Sequence, residues 1–496
     1  MKIKYLWVSE YKNLKNIDLH FNSDLVTLLV GKNGLGKSNL IEILALIFKD
    51  LDLIKTYSKY SSWAYEDGNF EFTIHYECHN NDIKIDLRKG SFEVFSRKTD
   101  GDVEYSKLSF SRFIKTRNEE LLPKYIIGYY SGENKRISKI TEKHEIEEKE
   151  FLKSFHEKDK GENKLLRRIF FTQNSHSQLL LLTLSLFKNS DLLGDRINTL
   201  FSDFLNITNV IDFKITFNNP KWNYTLIDRR NKGVDYLLSN ISEDVQYPFW
   251  NVKGQVDKFL TRLYNHQIEH SSEPFYYEND GKEDKRKFVE EFLIFDKIDL
   301  SKFEEDLNEY FAHPIELFDA LEASYILDII NSIEIKIEKE FSKDKAIFFE
   351  HLSEGEQQLI TVLGLIMIMG TDDCLFLLDE PDTHLNPEWQ RDYISMIEYF
   401  NVNELNSHFI IATHSPLIVQ SAEKSDVFLF VERNGKINID TQNYHIHNWR
   451  IDQVLVSEYF NLPSARPAKL DKYIQIREEL LSKKSLNSIQ SAKYPL

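Results

Sequence analysis

Cysteine is nearly missing from these 496 residues, which hold only Cys78 and Cys374. Two thiols make neither a disulfide framework nor a zinc cluster, so a reducing interior is the expected setting and both are expected as packed core thiols. Basic charge is also short. Lys and Arg number 62 against 79 Asp and Glu, a formal charge of −17. That excludes a general nucleic-acid coat and confines any nucleic-acid contact to local patches. Long apolar runs are absent as well: the longest, near Leu359 to Met369, is too short to span a bilayer and contains Thr361. Met1 to Glu10 alternates charged and apolar residues and lacks the apolar core of a signal peptide. A soluble, cytoplasmic chain without membrane contact is expected. Internal repeats, Pro- or Gly-rich linkers and low-complexity tracts are missing too. Without sustained heptads there is no long coiled-coil arm.

What is present begins with Gly31 to Ser38, read Gly-Lys-Asn-Gly-Leu-Gly-Lys-Ser, a complete G-x-x-x-x-G-K-S phosphate loop. Leu25 to Val30 before it is a continuous apolar run, as a strand buried on both faces of a parallel sheet requires. After it, Leu40, Ile41, Leu44, Ala45 and Phe48 recur at helical spacing through Ser38 to Lys49. Gly31, Gly34 and Gly36 let backbone amides converge on phosphate oxygens, and the positive end of the following helix favours their charge. In that geometry Lys37 reaches the β- and γ-phosphates of ATP and the Ser38 hydroxyl holds Mg2+.

Along the chain, Ile3 to Phe21 reads as a hairpin with Tyr11-Lys12-Asn13-Leu14 in its turn. Phe70 to Tyr76, Ile83 to Arg88 and Ser91 to Arg97 read as an antiparallel β-lobe. Tyr125 to Tyr130 returns to the main sheet, and a mostly helical insertion begins near Glu133. Its charged segment Lys135 to Lys160 precedes an apolar helix at Ser177 to Phe187, and strand-like runs recur at Ile211 to Phe217 and Ile333 to Ile337. Four regions are expected: 1–132, the first half of a head with its β-lobe; 133–332, the insertion; 333–440, the second half of the head; and 441–496, a helical tail.

Leu375-Phe376-Leu377-Leu378-Asp379-Glu380 has the form of a Walker B strand, four apolar residues delivering two acids to one edge. Because side chains alternate along a strand, the two acids have different tasks. One supports the metal held by Ser38 and the other orients and deprotonates the attacking water. Phe409 to Ala412 is a second buried strand, running into Thr413-His414-Ser415-Pro416, where His414 can meet a γ-phosphate. In Leu352-Ser353-Glu354-Gly355-Glu356-Gln357-Gln358, Ser353 and Glu356 form a capping box. Ser353 and the Gly355 amide also make a second phosphate-binding helix start with no phosphate of its own, which points to a site completed across a dimer.

In this order, Gly31–Ser38, Leu352–Glu356, Leu377–Glu380 and Thr413-His414 resemble the ATP-binding-cassette ATPases, with Leu-Ser-Glu-Gly-Glu where that class carries Leu-Ser-Gly-Gly-Gln. Tyr11-Lys12-Asn13, Gly-Lys-Ser-Asn ending at Asn39, and Asp379-Glu380-Pro381 followed by His384-Leu385-Asn386-Pro387 resemble its RecF, SMC and OLD branch among the AAA family ATPases. The resemblance covers both ends of the chain and not the middle. It implies an α/β fold, an ABC-type (SMC/RecF-like) P-loop ATPase head with an antiparallel β-lobe and a mostly helical insertion. ATP would be sandwiched between two heads of a homodimer or higher oligomer. Lys12, Asn33, Gly34, Gly36, Lys37, Ser38 and Asn39 would hold the nucleotide, and Ser38 and Asp379 the Mg2+. Glu380 would be the catalytic base and His414 the γ-phosphate sensor, with Ser353, Gly355 and Glu356 acting on the partner head's nucleotide. The chain departs from the transporter pattern at Asn386, where an aspartate is usual, and no Q-loop glutamine is identifiable.

Tyr130-Ser131-Gly132-Glu133-Asn134, the segment Glu380 to Gln390, and Asn448 to Asp452 leading to Arg466-Pro467 resemble ATPases of the Septu and PARIS anti-phage systems, the former also found with retrons. That likeness implies a separate nuclease partner, an HNH protein like PtuB or a TOPRIM protein like AriB, with DNA or retron RNA–DNA as a further ligand. No nuclease is expected in this chain, since Phe428 to Arg433 lacks the acidic core of a TOPRIM domain. The alternative is a RecF-like repair ATPase acting directly on DNA. A scaffold that binds ATP without turnover is a third reading. Lys164 to Arg168, Arg229-Arg230 and Lys285 to Lys287 read as solvated faces beside acids. His445 and His447 lack a third metal ligand nearby. The helix Asp471 to Ser485 either docks a partner or packs on its own head.

Overall fold

A computed structural model describes the chain except for residues 24, 55–69, 89, 102–103, 133–134, 154–167, 174, 219–248, 250–251, 253, 277–288, 299, 341–345, 371–372, 402–406, 442–445, 447–448, 463 and 483–496. Glu133 and Asn134, the basic clusters at 164–167, 229–230 and 285–287, His445 and His447 therefore lie outside the described residues. So do Asn448 and the end of the last expected helix, which is described over Ala468–Ser482.

The described residues form three sheets. The expected parallel strands assemble into a seven-stranded sheet ordered β18-β17-β3-β16-β15-β8-β9. In it β3 is Val26–Gly31, β8 Tyr125–Tyr130, β9 Ile169–Phe171, β15 Cys374–Asp379, β16 Ser407–Ala412, β17 Asp426–Arg433 and β18 Lys436–Asp440. All neighbours are parallel except the edge pair β17–β18. Its central strands are buried on both faces, which is why they read as unbroken apolar runs. Leu375 and Leu377 enter one core while Phe376 and Leu378 enter the other. Phe376 stacks on Phe409 of the neighbouring strand at 4.4 Å.

The leading hairpin, β1 Lys2–Tyr11 and β2 Leu14–His20, belongs to the β-lobe. β1 pairs antiparallel with β4 Phe72–Cys78, and the lobe continues through β5 Asn81–Arg88, β6 Ser91–Lys98 and β7 Ser106–Leu108. Helix α1, Lys37–Leu53, lies between this lobe and the parallel sheet, in one core with residues of both. Its apolar residues are buried nearly all round, so large-to-small changes there cost about 2–5 kcal/mol each.

In the insertion the regular elements are mostly helical, among them Lys135–Lys153, His176–Leu186, Gln255–His266, Leu300–Tyr310 and Pro314–Ile326. They accompany a five-stranded antiparallel sheet ordered β11-β12-β10-β13-β14. Its strands are β10 Ile207–Phe217, β11 Gln267–Tyr276, β12 Val289–Ile298, β13 Ile330–Lys339 and β14 Ala346–Phe348. β13 pairs with β10 and so straddles the boundary expected at 332/333. β9, expected within the insertion, instead joins the edge of the main sheet. Among the described residues, no helix is long and apolar enough to cross a membrane.

One buried histidine joins lobe and head. His408 on β16 accepts the Ile3 N–H at 3.1 Å through Nδ1, and its Nε2 lies 3.1 Å from the Thr27 hydroxyl. An Nδ1 that accepts leaves Nε2 as the donor, so the ring is neutral. Burial, then the positive amino terminus and Lys2, push its pKa from 6.5 down to about 3. Because the unfolded chain binds this proton more readily, the contribution is full above pH 6.5 and is lost as pH falls towards about 3. The loss is at most about 1.4 kcal/mol per pH unit. Denaturant unfolding between pH 7 and pH 4 should therefore show a steeper decline for the wild type than for His408→Gln. A difference between the two that does not change with pH would refute the neutral assignment.

Candidate functional site

The loop Gly31–Ser38 is shaped by the lobe as much as by its own glycines. Gly36 caps α1 at φ 100°, and a Cβ there would come within 2.7 Å of the Leu14 side chain and 2.9 Å of Asn13 Oδ1. Only glycine tolerates both that backbone and that approach. Asn13 Nδ2 donates to Gly34 O at 2.8 Å, while Asn39 Nδ2 donates to Asn13 Oδ1 at 2.6 Å. The Lys12 ammonium pairs with Glu42 on α1, and the Tyr11 hydroxyl donates to the same carboxylate at 3.1 Å. Lys12 and Asn39, expected to touch nucleotide, are thus placed as braces between hairpin, loop and helix. Asn33 stands exposed in the loop. Glu42, buried at 2% exposure, is the residue that sequence reasoning overlooked here. Its signal was a lone acid amid the apolar run of α1.

Lys37 is also buried. Its ammonium donates to Gly31 O at 2.8 Å and Lys32 O at 3.4 Å, and meets His414 Nε2 at 2.8 Å. Burial lowers its pKa to about 8, against the pull of Glu380 and Asp379. A lysine that donates to Nε2 requires a lone pair there, so His414 is neutral with its proton on Nδ1. Burial and then Lys37 lower the His414 pKa, while Glu380 opposes them. Glu380 Oε1 lies 3.5 Å from the same Nε2. Cation, neutral imidazole and carboxylate therefore converge from three segments of chain.

Asp379 ends β15 on the face turned to α1 and is 1% exposed. Burial raises its pKa to about 6; a hydrogen bond from the Ser38 hydroxyl and the charge of Lys37 oppose the rise, and Glu380 and Glu42 add to it. A dry carboxylate facing little besides one hydroxyl is costly, and a hard cation shared with Ser38 relieves it. The donor set thus fits Mg2+. Asp379 and Glu380 diverge, though by a route other than simple strand alternation. β15 stops at Asp379, and Glu380 takes a left-handed backbone at φ 52° while its N–H still bonds Ala412 O at 2.8 Å.

Two residues further on, Asp382 is 6% exposed, and burial raises its pKa to about 6 against a hydrogen bond from Thr413. Gln390 Nε2 donates to Asp382 O at 3.2 Å, and Ser415 Oγ donates to Gln390 Oε1 at 2.8 Å. This network links the loop after β15 to the loop that carries His414. Sequence reasoning did not single out Asp382, whose signal was the third acid in Asp379-Glu380-Pro381-Asp382.

The signature helix Glu354–Met369 starts at Ser353, which forms the expected box. Glu356 N donates to Ser353 Oγ at 3.3 Å, and Ser353 N donates to Glu356 Oε2 at 2.8 Å. Lys339 takes the other Glu356 oxygen. At Gly355 a Cβ would meet His384 O at 2.5 Å, so the helix start is docked on the segment after Walker B. His384 N donates to Gln358 Oε1 at 3.3 Å, and its ring lies 2.9 Å from Glu354. None of these contacts reaches the loop 31–38. Asn386, the departure from the transporter pattern, caps the helix Pro387–Phe400 by accepting Trp389 N–H at 2.9 Å.

A family model described as "AAA domain, putative AbiEii toxin, Type IV TA system" matches residues 26–420. The Septu protein PtuA of Bacillus thuringiensis is 27% identical over 167 residues, covering 30% of this chain and 41% of that protein. The chain thus spans less than half the length of this curated relative. Among solved structures, the SMC head domain from Thermotoga maritima is 13% identical with a TM-score of 0.34 and covers 90% of this chain and 100% of that chain. The recombination mediator protein RecF is 17% identical with a TM-score of 0.31 and covers 88% and 97%.

Because the atom nearest a Gly355 Cβ is backbone, Gly355→Ala must displace the segment around His384. It should lower stability by about 1–3 kcal/mol in thermal unfolding. An alanine protein as stable as the wild type would show that the docking is slack.

Proposed function

The chain belongs to the family described as AAA domain, putative AbiEii toxin, Type IV TA system, and from that membership and the site above we propose that it hydrolyses ATP between paired heads to control a separate nuclease in an anti-phage complex. The observation that carries this reading is the meeting of Lys37, His414 and Glu380 beside the buried carboxylate of Asp379, which faces the Ser38 hydroxyl.

In this reading each residue takes a separate role. Backbone amides of the glycine loop and the start of α1 receive the phosphates. Lys37 exchanges its bonds to Gly31 O, Lys32 O and His414 for phosphate oxygens, which restores the charge that burial disfavours. Ser38 and Asp379 would hold Mg2+, which would supply charge neutralisation to the phosphates. Glu380, turned out of the strand by its left-handed backbone, accepts the proton of the attacking water. His414, neutral in the free protein, donates from Nδ1 or gains a second donor once Lys37 moves to phosphate.

Ser353 and Gly355 support the paired-head reading because their contacts run to Glu356 and His384 and leave the loop of their own head alone. A second head then completes each site. The likeness to PtuA over 30% of the chain supports a defence role. The nuclease is expected in a separate chain of HNH or TOPRIM type, acting in the cytoplasm.

Glu380→Gln should lower hydrolysis by about 10²–10⁴-fold while keeping ATP binding. With ATP and Mg2+ the variant should accumulate as a dimer in light scattering. A variant that binds ATP yet stays monomeric would overturn the paired-head reading. Lys37→Ala mixed with Ser353→Arg should recover activity that neither has alone, since mixed dimers keep one intact composite site.

A further inference from the structure

Far from the nucleotide loop, three segments bring metal-ligating side chains together. Cys78 ends β4, His79 opens the turn into β5, and Asp373 precedes β15. The Cys78 sulfur, a His79 nitrogen and an Asp373 carboxylate oxygen all lie within 4.8 Å of one another. Asp373 is six residues before Asp379 along an extended strand, about 20 Å away, so this cluster is separate from the nucleotide site.

His79 is placed as a ligand by its neighbours. Its Nε2 lies 3.0 Å from Leu122 O, a carbonyl that can only accept, which leaves Nδ1 as the nitrogen open to a cation. That Nδ1 lies 3.1 Å from Asp373 Oδ2, the oxygen to which the His79 backbone N–H donates at 3.2 Å, so ring and carboxylate are held side by side. The Cys78 sulfur reaches the same point from the end of β4.

We propose that Cys78, His79 and Asp373 form a site for a divalent transition metal, with Zn2+ as the best match. Thiolate, imidazole and carboxylate are the ligands zinc takes at about 2.0–2.3 Å. At such bond lengths neighbouring ligand atoms sit about 3.5 Å apart, so a closure of about 1 Å completes the site. His79 is already held by a backbone carbonyl on its other nitrogen, the outer arrangement that fixes the ring of a zinc-bound histidine. On binding, the thiol proton leaves to solvent, so affinity rises with pH. The Met1 amino group rests on the other oxygen of Asp373, so the ion would tie the start of β1 and the β4–β5 turn to the approach of the Walker B strand.

The test is metal analysis of the full chain. After zinc loading and dialysis, plasma mass spectrometry should find about one Zn2+ per chain. Cobalt loading should give thiolate-to-cobalt charge-transfer absorption, absent in Cys78→Ser, and affinity should fall at least about tenfold in Asp373→Asn. A wild-type protein that retains no zinc and shows no such band overturns the proposal, leaving only the contact between His79 and Asp373. A band that persists in a folded Cys78→Ser protein overturns it too. If that variant fails to fold, the wild-type zinc content and cobalt spectrum decide alone.

Discussion

The clamping of α1 between two sheets is the constraint on which the rest depends. A phosphate loop presents its amides usefully only if the helix behind it cannot shift, and α1 is too apolar to stand in water on any face. The parallel sheet covers one side and the β-lobe the other. At the loop end the clamp becomes polar, where Tyr11 and Lys12 meet Glu42 and Asn13 reaches Gly34. The leading hairpin thus braces the phosphate loop and the helix behind it. Its position sets the loop's shape, because Gly36 has room for no side chain against it.

The chemistry rests on what burial does to charge. Asp379 and Lys37 are held away from water and His414 is half-buried, and each is pushed towards its neutral form. Such groups are poised to gain from a phosphate and a cation that restore their charged partners. The same desolvation that makes the empty arrangement costly makes electrostatic contacts strong once it is filled. Asp382 belongs to this economy of buried charge. Held against Thr413, it keeps the segment bearing Glu380 in register with the segment bearing His414.

Coupling within the second half of the head runs through backbone close approach. The signature helix reaches the segment after Walker B through the carbonyl of His384, at a distance that admits only glycine at position 355. Movement of Glu380 and its loop would therefore be felt at Ser353 by direct contact. This supplies a physical link between hydrolysis and whatever the signature helix touches.

Much of this was legible in the chain itself, because its signals are local. The phosphate loop, the doubly buried strands, the acids of Walker B and the capping box at Ser353 are each spelled by a few consecutive residues whose spacing dictates their geometry. The lobe and the helical character of the insertion follow from the same short-range periodicities. What tertiary structure alone decided involves partners tens to hundreds of residues apart. Lys12 and Asn39 are turned into braces by Glu42 and Asn13, β9 is captured by the main sheet, and β13 is drawn across an expected boundary by β10. Cys78, expected as an inert core thiol, lies beside His79 and Asp373. Sequence spacing carries no record of such meetings, because long-range packing selects them and composition does not.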